Sequence, residues 1–215
     1  MTASVKRRDY DSSRRQAQAR ETQQAVLRSA HDLFLAHGYG GTTIAEVAAA
    51  AGVSAETVYG AFGNKAALLH RVWDVTIGGD DQEVMFHERP EVQALRAEPD
   101  LAKRLAMHAE LATRTARRIG PFLLMVQAAS GNEPAAAKML AEMDAQRYRG
   151  LGFMAKAAAA TGQLAVSPQE CRDLMWATTD GVLWHRLVAE RGWSDKRFAG
   201  WLGRMWISQL VGPPA

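Results

Sequence analysis

Cysteine is almost absent from this 215-residue chain. The single thiol, Cys171, excludes an intramolecular disulfide and any zinc site built on two or more thiolates, and it suits a reducing compartment. The six histidines form no HxxxH or HExxH spacing, so neither a metal nor metal-assisted hydrolysis is expected. A GxSxG elbow, a P-loop and a GxGxxG fingerprint are also missing, so no cofactor and no enzyme activity is predicted. No stretch approaches the roughly 18 uncharged apolar residues of a membrane span. The opening Met-Thr-Ala-Ser-Val-Lys-Arg-Arg has no apolar signal core. A cytoplasmic location without a membrane partner is the expectation.

Alternating β-branched runs are lacking as well, while alanine, leucine, arginine, glutamine and methionine fill almost every segment. The predicted fold class is therefore all-α. Charge is unevenly spread along the chain. Residues 1–71 carry nine Lys/Arg against six acids, whereas the rest of the chain holds 17 of each sign. Most of the excess lies in residues 1–20, with six basic side chains and two acids. Such a segment reads either as a flexible arm for phosphate contact or as a solvated tail.

Val26, Ala30, Leu33, Phe34 and His37 recur at helical spacing from Arg20 onward, and Gly38 supplies a stop. Thr43-Ile44-Ala45-Glu46 is a capping box that opens a second helix, which Gly52 ends. Ser54 caps a third helix over Ala55 to Phe62, and Gly63-Asn64 breaks and recaps into a fourth from Lys65. Gly78-Gly79 closes that helix and leads into a polar stretch reaching Pro99, with an apolar Val84-Met85-Phe86 and a helical turn after Pro90. Asp100, Asn132, Ser167 and Ser194 then mark N-caps, and Gly120-Pro121, Gly162 and Gly192 mark stops. Helices near 100–118, 121–130, 133–161, 168–190 and 194–210 follow.

Two short helices joined by Ala51-Gly52-Val53-Ser54 form a helix-turn-helix pattern. Ile44, Val47 and Ala48 pack on Val53, Val58 and Phe62 in this reading. Ser54, Ala55, Glu56, Thr57, Tyr59 and Gly60 are left to enter a major groove.

Together, His37-Gly38-Tyr39 through Thr42-Thr43-Ile44, Ala51-Gly52-Val53-Ser54, Thr57-Val58-Tyr59, Phe62, and Asn64-Lys65 through Leu68-Leu69 resemble the tetracycline-repressor-type (TetR) regulators. The resemblance covers residues 20–72. It implies a flexible basic arm over 1–19, a helix-turn-helix DNA-binding domain over 20–72, and a helical effector-binding and dimerisation domain over 73–215. Thr43, Tyr59 and Lys65 would contact phosphates, with Ser54, Ala55, Glu56, Thr57 and Gly60 nearest the base edges or flanking backbone. Thr57 suits a thymine methyl and Glu56 a cytosine amine. Ala61 stands where many relatives carry histidine or tyrosine, and Ala66 where an acid often follows the lysine, which removes one phosphate contact and some helix stabilisation. Plainer readings stay open: Gly60 as surface drift, Tyr59 packed beside Phe62, Glu56 and Lys65 as solvated charges.

Five of the six tryptophans fall in the last forty residues, on helices too apolar for one covered face. As the family resemblance implies, a four-helix dimer interface including Trp184, Leu187, Trp201 and Met205 would cover them; an unusually rich monomer core would do so too. By the family resemblance, Met107, Leu111, Phe122, Met125, Phe153, Trp176 and Asp180 would line an effector pocket. The methionines serve equally well as core filler, and Asp180 as a satisfied interface residue. The function expected is an effector-responsive repressor that binds an inverted-repeat operator in double-stranded DNA as a homodimer and is released by a small, largely apolar molecule. Its rivals are a non-specific architectural DNA-binding protein and a small-molecule-binding enzyme or carrier with a vestigial DNA-binding head.

Overall fold

A computed structural model describes the backbone over residues 4–79 and 88–212, and the side chains from Arg14 onward within those limits. The apolar Val84-Met85-Phe86 and the side chains of Lys6, Arg7 and Arg8 lie outside the described residues. The chain divides into two compact units, Met1–Val75 and Thr76–Ala215, and the division falls inside a helix.

The first unit begins with α1, Ser4–Gly41. Its start lies well before Arg20, because nothing between Val5 and Arg20 is glycine or proline and the stretch is rich in Arg, Gln and Ala, which favour helix. Val26, Ala30 and Phe34 are buried at a spacing of four, Leu33 is half-buried, and His37 is exposed. Gly38 breaks the helical path with φ 75°, as a stop signal should. Then come α2 (Ile44–Ala51), α3 (Ala55–Phe62) and α4 (Lys65–Gly78). Ile44, Val47 and Ala48 of α2 and Val58 of α3 are buried, with Val53 and Phe62 half-covered beside them.

The second unit contains α5 (Pro90–Ala97), α6 (Leu101–Ser130), α7 (Pro134–Ala159), α8 (Pro168–Thr178), α9 (Val182–Trp184) and α10 (Asp195–Leu210). Asp100, Ser167 and Ser194 cap their helices through side-chain oxygens, but Asn132 does not; α7 starts at Pro134 after Glu133. Two other sequence expectations are corrected. Gly120-Pro121 does not stop α6, which carries Pro121 inside a single helix. Gly120 is buried in that helix, and a Cβ there would lie 3.5 Å from the Trp184 ring, so tertiary packing overrides a local breaker. The expected helix over 168–190 is broken at Thr179–Gly181, where Gly181 takes φ 85°, and it resumes as α9 and a π-helical stretch over His185–Glu190.

The main core gathers Leu101, Leu105 and Ala109 of α6, Leu151 and Ala155 of α7, Met175 of α8 and the inner stripe of α10. That stripe is Phe198, Leu202, Trp206 and Leu210, four apart along the helix, and each is at most 2% exposed. Gly203 lets α10 come close to α6, since a Cβ there would already sit 3.4 Å from the Ala106 Cα. A smaller cluster joins Val92 and Leu95 of α5 to Leu111 of α6, with Met107 and Met154 against it. Among the described residues the only β-pairing noted is a single bridge between Leu164 and Val211. None of the described helices is long and apolar enough to cross a membrane.

Candidate nucleic-acid interface

The geometry of α2 and α3 is fixed by contacts only a few residues long. The Thr43 hydroxyl accepts from the Glu46 amide at 3.2 Å, while Glu46 Oε2 accepts from the Thr43 amide at 2.7 Å and from its hydroxyl at 2.8 Å. These bonds, the backbone one foremost, hold the Glu46 carboxyl below the usual carboxylate range. Gly52 takes φ 69° and returns its N–H to the carbonyls of Ala48 and Ala49, and the Val53 amide reaches Ala48 O at 3.0 Å. The chain thus turns from one helix into the next within three residues, Gly52 to Ser54. Ser54 Oγ accepts from the Thr57 amide at 3.2 Å and lies at the same distance from the Thr57 hydroxyl.

A helix locked at its start can present side chains at fixed positions. Ser54, Glu56, Thr57, Tyr59 and Gly60 are all exposed, with Tyr59 at 52%, large for an aromatic ring. Ala55 is half-buried, and nothing lies within 4 Å of where a Cβ on Gly60 would sit. The Glu56 carboxyl is held below its usual range by its own backbone amide and by Ser54, so one anionic group sits at the head of α3. Thr43 is exposed at the head of α2, with its hydroxyl proton directed at Glu46. The Lys65 ammonium lies 4.2 Å from the centre of the Tyr39 ring, a cation–π contact that orients it at the head of α4.

Two features carry no sequence expectation of their own. Thr42, 1% exposed, donates to Leu33 O at 3.1 Å or to Gly38 O at 2.9 Å, bolting the end of α1 to the start of α2. A cleft of about 650 Å³ also opens between α1 and α3, lined by Arg14, Arg15, Gln18 and Thr22 on one side and Thr57 and Ala61 on the other. Its signal in the sequence is the four-residue spacing of Arg14, Gln18 and Thr22, which puts them on one face of a helix once α1 is seen to extend that far.

Residues 26–72 match the model of the bacterial regulatory proteins of the tetR family, over the very segment that these caps shape. That segment, residues 26–72, is similar to the N-terminal part of the tetR family. It forms the helix-turn-helix described above, and a helical C-terminal unit follows it in the chain. Family members are in general non-enzymatic DNA-binding proteins, typically ligand-responsive. No curated protein sequence matches the chain. Among solved structures it is similar to NalD, the secondary repressor of the MexAB-OprM multidrug efflux pump in Pseudomonas aeruginosa. The two are 20% identical, with 90% of this chain and 98% of NalD covered and a TM-score of 0.67. The SmeT–triclosan complex is 22% identical over 89% of this chain and 92% of SmeT, with a TM-score of 0.66. The fatty acid degradation regulator FadR from Bacillus halodurans is 15% identical over 86% and 93%, with a TM-score of 0.64. These likenesses show a shared fold.

In the C-terminal unit the expected effector residues are scattered. Met107 and Leu111 meet in the α5–α6–α7 cluster. Phe122 is 1% exposed, Met125 is half-buried, and Phe153 faces solvent at 62% exposure. The Trp176 indole donates to Asp144 Oδ1 at 2.9 Å, and Asp180 Oδ1 accepts from the Val182 amide at 2.9 Å, where α9 begins. Trp184 is buried, its indole N–H given to Asp195 at 2.9 Å, while Leu187, Trp201 and Met205 are half-buried. Among the described residues no group of three His, Cys, Asp or Glu could hold a metal ion.

Proposed function

We propose that the protein is a cytoplasmic, ligand-responsive repressor that binds an inverted-repeat operator as a homodimer. Residues 20–72 read the DNA, with α3 in the major groove; residues 73–215 bind the effector and the second subunit. The observation that carries this reading is the exposed row of Ser54, Glu56, Thr57, Tyr59 and Gly60 on a helix capped at its start. Exposed small and polar side chains on a rigid helix are what base-edge contact requires. Tyr59 and Lys65 supply phosphate contacts beside it, and helix N-termini add free amides. Thr43 can join them only by sharing the hydroxyl that already serves Glu46.

Trp201 and Met205 of α10 and Leu187 of the π-helical stretch are half-buried against the main core, and their uncovered sides support an isologous interface between two copies. Trp184 would act from inside the unit, under that surface. For the effector, the cluster of Met107 and Met154 against Leu111 favours an adaptable apolar site, since methionine repacks readily. NalD represses an efflux pump and SmeT is seen with triclosan, which agrees with a small, largely apolar effector.

The deciding experiment selects tight binders from a random duplex pool at near-physiological salt with the purified full chain. Recovery of one inverted repeat, bound by two copies of the chain, is the expected result. Binding without enrichment would replace this reading with an architectural one, because backbone contact tolerates any sequence. Once the site is known, a panel of apolar compounds is tested for release; ligands that bind the protein and leave operator affinity unchanged would remove the switching part.

A further inference from the structure

We infer that the cleft between α1 and α3 receives the sugar–phosphate backbone of one DNA strand, with Arg14 and Arg15 gripping a phosphate beside the bases read by α3. This rests on the reading of α3 as the recognition helix and adds a second, fixed rail to it. The chemistry of the walls is that of an anion site: two guanidinium groups, the Gln18 amide and the hydroxyls of Thr22 and Thr57, with no carboxylate among the lining residues. Thr57 belongs both to the cleft and to the exposed row on α3, so a strand contacting that row borders the cleft.

The far wall is kept low by Ala61. A tyrosine or histidine there would project into the space; alanine leaves it open to a backbone. The arginines stand on a helix instead of a loose segment, which lowers the entropy cost of placing them on a phosphate. Position along α1 separates this proposal from diffuse attraction by a basic segment. Arg20 is exposed on the same helix but does not line the cleft.

The test uses the full chain and the duplex recovered by selection, with affinity measured over a range of salt concentrations and phosphate contacts mapped by ethylation interference. The double variant Arg14→Ala/Arg15→Ala is expected to lose about tenfold in affinity on matched and mismatched duplexes alike, and its salt slope to shrink by about 2. Phosphates whose ethylation blocks the unmodified protein should stop mattering to this variant. Arg14→Lys/Arg15→Lys should keep the slope, Arg20→Ala should change little, and Ala61→Leu should erase the same ethylation signals by filling the cleft. Equal losses from Arg20→Ala and from the double variant would overturn the cleft in favour of diffuse attraction, and no loss from the double variant would overturn it outright. A full chain that binds no duplex would instead bring down the reading of α3 on which the cleft depends.

Discussion

The two units of this chain are held together over different distances in sequence. In the first, the fixing bonds run from Thr43 to Glu46, Ser54 to Thr57 and Asn64 to Ala67, each three residues apart. In the second, side chains reach far along the chain. Arg104 donates to Ala157 O, 53 residues away, and to Glu98 O; Gln163 accepts from the Leu101 amide, 62 residues away, and donates to Pro99 O. Asp195 accepts from both Trp184 and Arg117, tying α10 to α9 and α6. Local fixing leaves the faces of short helices free to be polar and exposed. Long-range fixing commits side chains to the interior, which suits a unit that must enclose something or pair with a copy of itself.

The largest way to test this contrast is Trp206→Ala. That ring is fully buried, edge-on to His108, and its indole donates to Thr178 at 3.0 Å. Truncation should cost about 3–5 kcal/mol, read by denaturant unfolding. A loss below about 1 kcal/mol would mean that the α6–α10 packing collapses around the gap.

Next in size is a pH effect of the second unit. Burial pushes the His108 imidazole down to about 4. The unfolded chain therefore binds a proton that the folded one refuses between its ordinary value near 6.5 and 4, so stability falls as pH drops through that window. The slope for this site is at most about 1.4 kcal/mol per pH unit. His108→Phe should flatten it, in unfolding curves taken from pH 7 to pH 4.

Smaller still is Thr43→Ala, which removes the capping box and should cost about 1 kcal/mol. If the loss is several times larger, the first unit is less locally held than its bonds imply. Tyr59→Phe sits at the bottom of the scale. With its ring 52% exposed it should leave unfolding unchanged while lowering duplex affinity, which separates residues that hold the unit from residues that read DNA.

Legibility from sequence follows the same division. The α2–turn–α3 boundaries were readable because Thr43, Gly52 and Ser54 determine them with their nearest neighbours. Gly120-Pro121 misled because Trp184 packs against Gly120 from a distant helix. The break at Thr179–Gly181 has its reason in three dimensions too: Arg147 of α7 donates to Trp176 O and reaches the Thr179 hydroxyl at 3.3 Å, satisfying the end of α8. On the candidate interface the exposed row of α3 was legible. The cleft was not, because it exists only once α1 is known to extend past Arg20 and to lie beside Ala61.

Cys171 has a practical consequence for watching this protein work. The thiol is fully buried, is pushed up to about 11, and points at the Met175 sulfur 3.9 Å away, so it is neither ionised nor reachable at neutral pH. A reporter cysteine introduced on an exposed position away from the cleft, such as Ala50 of α2, would then be the one thiol that a maleimide dye finds. Fluorescence from beside α3 could be followed during DNA binding in the natural background, without first removing the chain's own thiol.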